Sequence, residues 1–250
     1  MRKVAIIPAR YASSRFPGKP LASICGKPMI QWVYENVSKT KKLDVVYVAT
    51  DDKRIYDTVK KFGGNVLMTS KNHLCGTDRL AECVQILGLS EDDIVLNIQG
   101  DEPLIQPEMI NSLVDAFIDS TVVMATLKKE IELEEEIFDS NVVKVITDLN
   151  DNAIYFSRYA IPYFRESVRG RVYKHIGMYG YRKEFLLEFS KMKRTSLEEA
   201  ESLEQLRVIE NGYKIKVIET KYRTFGVDIP EHILQIEKEI EKMEMVENGV

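Results

Sequence analysis

Near the start of the chain one short loop carries three cations. The apolar strand Val4-Ala5-Ile6-Ile7 runs into Pro8-Ala9-Arg10-Tyr11-Ala12-Ser13-Ser14-Arg15-Phe16-Pro17-Gly18-Lys19-Pro20. A loop at the carboxyl end of a first buried strand lies over the crevice where open α/β sheets bind ligands. Arg10, Arg15 and Lys19 bring guanidinium forks and a flexible ammonium there, the usual donors to phosphate oxygens, and the polyanion that suits them is a triphosphate. The spacing is neither G-x-x-x-x-G-K-[ST] nor G-x-G-x-x-G, so side chains would make most of the phosphate contacts. Taken alone, a solvated basic turn is the alternative.

Carboxylates supply the second signal. Val95-Leu96-Asn97-Ile98-Gln99-Gly100-Asp101-Glu102-Pro103 delivers Gly100 and Asp101 from a buried strand to the same crevice edge. Mg²⁺ takes one or two carboxylates together with waters and substrate phosphates, so Asp101 could anchor a nucleotide–metal complex; an acidic turn before the next helix is the alternative. Asp228, in Phe225-Gly226-Val227-Asp228-Ile229-Pro230, could be a second ligand, a helix cap, or both. Gly76-Thr77-Asp78-Arg79 opens a predicted helix whose free N–H groups could meet a base or ribose. Ala49-Thr50-Asp51-Asp52 holds the equivalent place after the second strand, where N-capping by Asp51 and Asp52 is the simpler reading.

These residues need elements to position them. Strands are predicted at 45–49, 65–68, 94–98 and 122–126, alternating with helices at 29–39, 53–62, 77–87 and 107–118, the rhythm of βαβ units with a parallel sheet. After an acidic stretch at 130–136 come strand-like runs at 142–146, 153–157 and 173–181 with no regular helix between each pair, which implies a mixed or antiparallel extension. Helices at 197–210, ended by Asn211-Gly212, and 230–245 follow, with a strand at 215–218 between them and a frayed tail after residue 244. The expected fold class is α/β, a mostly parallel central sheet with helices on both faces and a smaller β-rich extension.

Composition narrows the function classes. The chain has 250 residues, 44% hydrophobic and 30% charged, with formal net charge −4, so no global field favours nucleic acid and small-molecule partners are expected. Cys25, Cys75 and Cys83 are odd in number and lack C-x-x-C spacing, which indicates neither a disulfide framework nor a zinc knuckle. The apolar run before Pro8 is too short for a signal segment, and no stretch approaches the roughly 18 apolar residues of a membrane span. A cytoplasmic enzyme is expected.

The blocks quoted above, with Gly26-Lys27-Pro28-Met29-Ile30, Tyr155-Phe156-Ser157-Arg158, His175-Ile176-Gly177-Met178-Tyr179-Gly180-Tyr181 and Leu203-Glu204-Gln205-Leu206-Arg207, occur in an order that resembles the bacterial CMP-Kdo synthetases, the 3-deoxy-manno-octulosonate (Kdo) cytidylyltransferases. The resemblance covers nearly the whole chain. It implies one domain over 1–250 of the nucleotide-diphospho-sugar transferase type, Rossmann-related, with a nucleotide-binding half to residue 126 and a sugar-binding and dimerisation extension over 127–250. It implies a homodimer that uses Mg²⁺ to join CMP from CTP to the anomeric hydroxyl of an acidic eight-carbon sugar for lipopolysaccharide biosynthesis, releasing pyrophosphate.

Carried over by position, Arg10, Arg15, Lys19 and Asp101 form the catalytic set. Pro8, Ala9, Thr50, Asp51, Gly76, Thr77, Arg79 and Gln99 join them around the nucleotide, Asp101 and Asp228 hold the metal, and Arg158, His175, Tyr179, Glu204 and Gln205 hold the sugar. Read without the family, His175 and Tyr179 could be half-buried strand neighbours, and Glu204 with Gln205 a solvated helix face. Cys75 stands where serine is usual, Asp78 where glutamate is frequent, and Phe225 and Ile229 where threonines are typical. The departures beside Asp228 leave the sugar open between Kdo and its 8-amino analogue, and a cytidylyltransferase for another acidic sugar is a rival reading. A non-catalytic nucleotide-binding regulator would be expected to lack one of the two metal aspartates.

Overall fold

A computed structural model describes residues 1–12, 15–73, 75–165 and 170–247; Ser13 and Ser14 of the cationic loop and the end of the tail, 248–250, lie outside the described residues. The chain forms two compact units, one of Lys3–Gly88, Asn97–Ile110 and Thr224–Val250, the other of Met1–Arg2, Leu89–Leu96 and Asn111–Arg223. The division therefore departs from the expected split near residue 126, because the C-terminal segment returns to the N-terminal unit.

In that unit β1 (Lys3–Ala9) is an apolar run whose Val4, Ala5, Ile6 and Ile7 are wholly buried, as a strand covered on both faces must be. It pairs in parallel with β4 (Val45–Thr50), which pairs in parallel with β5 (Val66–Met68). A small hairpin that periodicity did not reveal, β2 (Ser23–Ile24) and β3 (Lys27–Pro28), leads into α1 (Met29–Ser38), which buries Met29, Ile30, Val33 and Val37 on one stripe. Asp52 caps α2 (Lys53–Lys61) by accepting from the Arg54 amide at 2.9 Å, and the Cys75 sulfur accepts from the Asp78 amide at 3.4 Å to cap α3 (Gly76–Ile86). The strand expected at 94–98 is β6 (Ile94–Asn97), followed by α4 (Pro107–Asp115); both elements are divided between the units.

The other unit carries the extension. Here β7 (Met124–Glu130) starts two residues later than expected and runs into the acidic stretch, where the short α5 (Glu134–Phe138) forms. β8 (Lys144–Thr147), β9 (Ala153–Ser157) and β10 (Tyr173–Arg182) pair antiparallel, β10 also runs antiparallel to β7, and a short helix that sequence reasoning missed, α6 (Lys183–Phe189), follows β10. The helix expected at 197–210 is two: α7 (Ser196–Glu201) and α8 (Gln205–Glu210), broken at Ser202, whose φ of 52° is left-handed. The last strand, β11 (Lys216–Glu219), lies parallel to β7. Finally α9 (His232–Glu247), in the first unit, starts two residues later than expected and continues beyond the expected fraying point. Among the described residues no helix is long and apolar enough to cross a membrane.

A buried ion pair holds α7 to α8. Arg207 donates to both carboxylate oxygens of Glu198, its Nε at 2.7 Å, and both side chains are almost inaccessible to water. Removing one partner strands a charge in the interior, whereas replacing both with apolar residues does not. Arg207→Met is therefore expected to cost about 3–5 kcal/mol in urea unfolding, with most of the loss recovered in Arg207→Met/Glu198→Leu. A single-variant cost below about 1 kcal/mol would count against this pair as the lock.

Candidate active site

In the first unit the cationic loop ends in a single 3₁₀ turn, Lys19–Leu21, entered through Gly18 with a left-handed φ of 73° that a side chain would strain. Lys19 Nζ lies 2.6 Å from Asp101 Oδ2, 2.7 Å from the Val227 carbonyl and 3.8 Å from Asp228 Oδ1. Arg15 donates to Asp228 Oδ1 at 2.8 Å. Two of the three loop cations and both candidate metal carboxylates thus share one locus. The third cation, Arg10, is turned the other way, with Nη2 donating to the Cys75 carbonyl at 2.8 Å just ahead of α3.

Backbone contacts hold the two aspartates in register. The Val227 amide donates to the Asp101 carbonyl at 2.9 Å, and the Phe225 amide to Glu102 Oε2 at 2.9 Å. Asn36 on α1 donates to the Pro103 carbonyl at 2.7 Å. A Cβ on Gly100 would lie 2.8 Å from the Pro8 carbonyl oxygen, so only glycine allows this turn to close on the end of β1. Glu102, which sequence reasoning passed over, sits beneath the pair. Enclosure of its carboxyl pushes it up to about 8, with the charges of Asp101 and Asp228 acting in the same direction. Its role as a strap on the 225–228 segment has no sequence signature beyond its place next to Asp101.

Several residues expected around the nucleotide also have partners inside the protein. Arg79 is wholly buried, donating to Asp51 Oδ2 at 2.7 Å and to the Thr69 hydroxyl, so its guanidinium braces the ends of β4 and β5. Thr50 is fully buried, and its hydroxyl accepts from the Asp52 amide at 3.2 Å. Thr77 and Ala9 are buried too, while Pro8, Gly76 and Gln99 keep partial exposure. Arg79 and Thr50 thus support the strand ends through bonds made inside the protein.

The expected sugar residues lie in the other unit. A register shift in β10 between Ile176 and Tyr179 brings the rings of His175 and Tyr179 to 5.3 Å, with Phe156 edge-on to His175 at 5.0 Å. Burial pushes the Tyr179 phenol well above its ordinary range, and the Glu204 charge adds to it. Gln205 is 4% exposed, and its buried Nε2 has no partner among the described residues. Such a donor is costly unless an acceptor arrives. Arg158 is committed elsewhere: its Nε donates to the Glu201 carbonyl at 2.7 Å and Nη1 to the Ser140 carbonyl at 3.0 Å, beside a cavity of about 610 Å³ lined by Phe138, Tyr159 and Tyr163.

Residues 4–216 match the family model described as cytidylyltransferase. The chain belongs to the cytidylyltransferase family. A relative from Fusobacterium nucleatum named 3-deoxy-manno-octulosonate cytidylyltransferase is 54% identical over 94% of this chain and 96% of its own length. One from Shewanella pealeana named 8-amino-3,8-dideoxy-manno-octulosonate cytidylyltransferase is 52% identical over 93% of this chain and 96% of its own length. The solved structure of a CMP:2-keto-3-deoxy-manno-octonic acid synthetase complexed with CTP superposes with a TM-score of 0.92 at 40% identity, covering 97% of this chain and all of that one. A 4-diphosphocytidyl-2C-methyl-D-erythritol synthase from Anaerococcus prevotii, 17% identical, shares the fold with a TM-score of 0.62, covering 96% of this chain and 98% of its own. The mixed α/β fold expected from the sequence is thus the family's.

In this cytidylyltransferase His175 reports how closed its pocket is. Nε2 lies 2.9 Å from the Thr126 hydroxyl, which has the Met178 carbonyl at 2.8 Å to donate to, so the imidazole Nε2–H donates to Thr126 Oγ1. The residue is half-buried but its ring is enclosed, which holds it neutral and draws its pKa down to about 3. The unfolded chain protonates near 6.5, so between the two values it binds more protons than the folded protein, and stability declines as pH falls through that window. The stability difference between wild type and His175→Asn should be constant above pH 7 and shift against wild type below 6.5, by up to about 1.4 kcal/mol per unit. Parallel urea-unfolding profiles from pH 7 to 5 would refute the enclosure.

Proposed function

We propose that the chain transfers CMP from CTP to the anomeric hydroxyl of Kdo. The observation that carries this reading is the convergence of Lys19 and Arg15 on Asp101 and Asp228, which sets phosphate-binding cations against hard oxygen donors. Relatives at about 50% identity named for this reaction support it. The attacking sugar oxygen forms a bond to the α-phosphorus, the bond from that phosphorus to the bridging oxygen breaks, and pyrophosphate leaves with the electron pair. The sugar hydroxyl gives up its proton to solvent water.

Positioning and charge neutralisation dominate such transfers. Lys19 and Arg15 stabilise the triphosphate charge, and Arg10, half-buried beside the start of α3, reaches the nucleotide from the other side of the loop. Asp101 and Asp228 fit Mg²⁺. Both are carboxylates with part of their surface open to water and phosphate, and with the Val227 carbonyl they already surround one cation, the Lys19 ammonium. Substrate phosphate oxygens and waters would complete the coordination of such an ion. Bound there, the ion would neutralise triphosphate charge and polarise the phosphorus.

His175, Tyr179, Glu204 and Gln205 hold the sugar, the stranded Gln205 amide donating to its carboxylate or hydroxyls. The reaction belongs to lipopolysaccharide biosynthesis in the cytoplasm, carried out by a homodimer. The 8-amino analogue of Kdo is the second reading, favoured by the relative named for it.

Pyrophosphate release with Mg²⁺, comparing CTP with ATP and GTP and Kdo with its 8-amino analogue, tests the assignment directly. CTP should far outperform either purine nucleotide with both sugars; equal use of a purine triphosphate would overturn it. The site map is tested by a pair of variants. Lys19→Ala should cost about 2–4 kcal/mol in kcat/KM for CTP with little change in the sugar's KM. Gln205→Ala should raise the sugar's KM and spare CTP. The opposite pattern means that the two residue sets are assigned the wrong way round.

A further inference from the structure

Tyr11 lies between Arg10 and Lys19 in sequence and has no role in the chemistry described so far. Its carbonyl accepts from the Gly18 amide at 2.9 Å, which closes the cationic loop on itself one residue before Lys19. Its ring lies so close to Gly18 that a Cβ there would sit 3.1 Å from three ring and hydroxyl atoms. The opposite support is Arg54, whose guanidinium carbon stands 3.2 Å from the ring centroid. Arg54 is not free to drift: its Nε and Nη2 donate to the two oxygens of Asp52 at 2.9 and 2.7 Å, and Asp52 also caps α2.

We propose that Tyr11, clamped between Gly18 and the Asp52-anchored Arg54, is a positioning residue that sets Lys19 and Arg10 for the triphosphate. The clamp acts at a distance from the reacting atoms, with no contact to substrate. Cation–π stacking at a partly exposed site is modest in energy. Misplacing a charge-stabilising group by about 1 Å can nonetheless cost about 100-fold in rate, so a weak contact can govern a strong effect. Asp52 thereby joins helix capping to the geometry of the phosphate loop.

The inference rests on the cytidylyl-transfer reading. Wild-type turnover is therefore measured first, and its failure to form the CMP-sugar would count against that reading and not against the clamp. Tyr11→Ala should lower kcat/KM for CTP about tenfold, raising its KM and lowering kcat, with the sugar's KM within about twofold of wild type. Tyr11→Phe keeps the ring and should recover most of the loss. Arg54→Ala, at an exposed position in the first turn of α2, checked for folding by its unfolding transition, should move the CTP constants in the same direction, with Arg54→Lys intermediate. Because both act through one contact, Tyr11→Ala/Arg54→Ala should be no worse than Tyr11→Ala alone. CTP binding by calorimetry on the same proteins should weaken in parallel. Unchanged CTP constants in folded Tyr11→Ala or Arg54→Ala, additive losses in the double variant, or an equal rise in the sugar's KM would each overturn the proposal.

Discussion

The unit that carries the cationic loop depends on one ammonium group. Lys19 Nζ is gripped by Asp101, by the Val227 carbonyl and, less closely, by Asp228, partners 82 and more than 200 residues away in sequence. Three separate stretches of chain are pulled to one point by a charge that each can satisfy. An isolated surface pair would contribute little, but this cation is largely covered and charge-assisted on two sides, so its contacts are stronger and fix geometry as well as energy. The C-terminal segment consequently belongs with the N-terminal unit.

Around that point the protein spends other polar groups on rigidity. Arg79 looks like a ligand residue in sequence but is locked to Asp51 and Thr69 inside the unit, so that the strand ends flanking the site cannot splay. The apolar residues behind the site act similarly. Val227 joins Ile24, Met29, Leu104, Ile236 and Ile240 in one core cluster, which seats α9 against the β2–β3 hairpin and holds the backbone of the 225–228 segment from behind. A carboxylate on a loop is only as well placed as the hydrophobic anchor next to it, and here the neighbour of Asp228 is wholly buried.

In the other unit the chemistry is arranged by irregularity. The register shift in β10 lets residues four apart on one strand bring their rings into contact, and the break at Ser202 starts α8 where Glu204 and Gln205 are presented. An uninterrupted strand and helix would have aimed these side chains differently. The buried Glu198–Arg207 pair holds the broken helix in place.

The sequence by itself determined most of the elements and pointed to the chemistry. Continuous apolar runs announce strands buried on both faces, three-to-four-residue periodicity announces their helices, and the types of residue in the cationic loop and the Gly-Asp turn announce a triphosphate and a hard cation, because these follow from local composition. Family resemblance named the rest. Only the tertiary structure decided which polar residues are sealed inside the fold and which keep exposure. Arg10, in the loop just after β1, and Arg79, in the first turn of α3, are the same residue type, yet one remains half-buried and the other is sealed inside, a difference of burial that no local pattern encodes. Glu102 and Tyr11 went unread for the same reason: each acts through partners brought near by long-range closure, Phe225 for one and Arg54 for the other, and sequence spacing carries no record of such contacts.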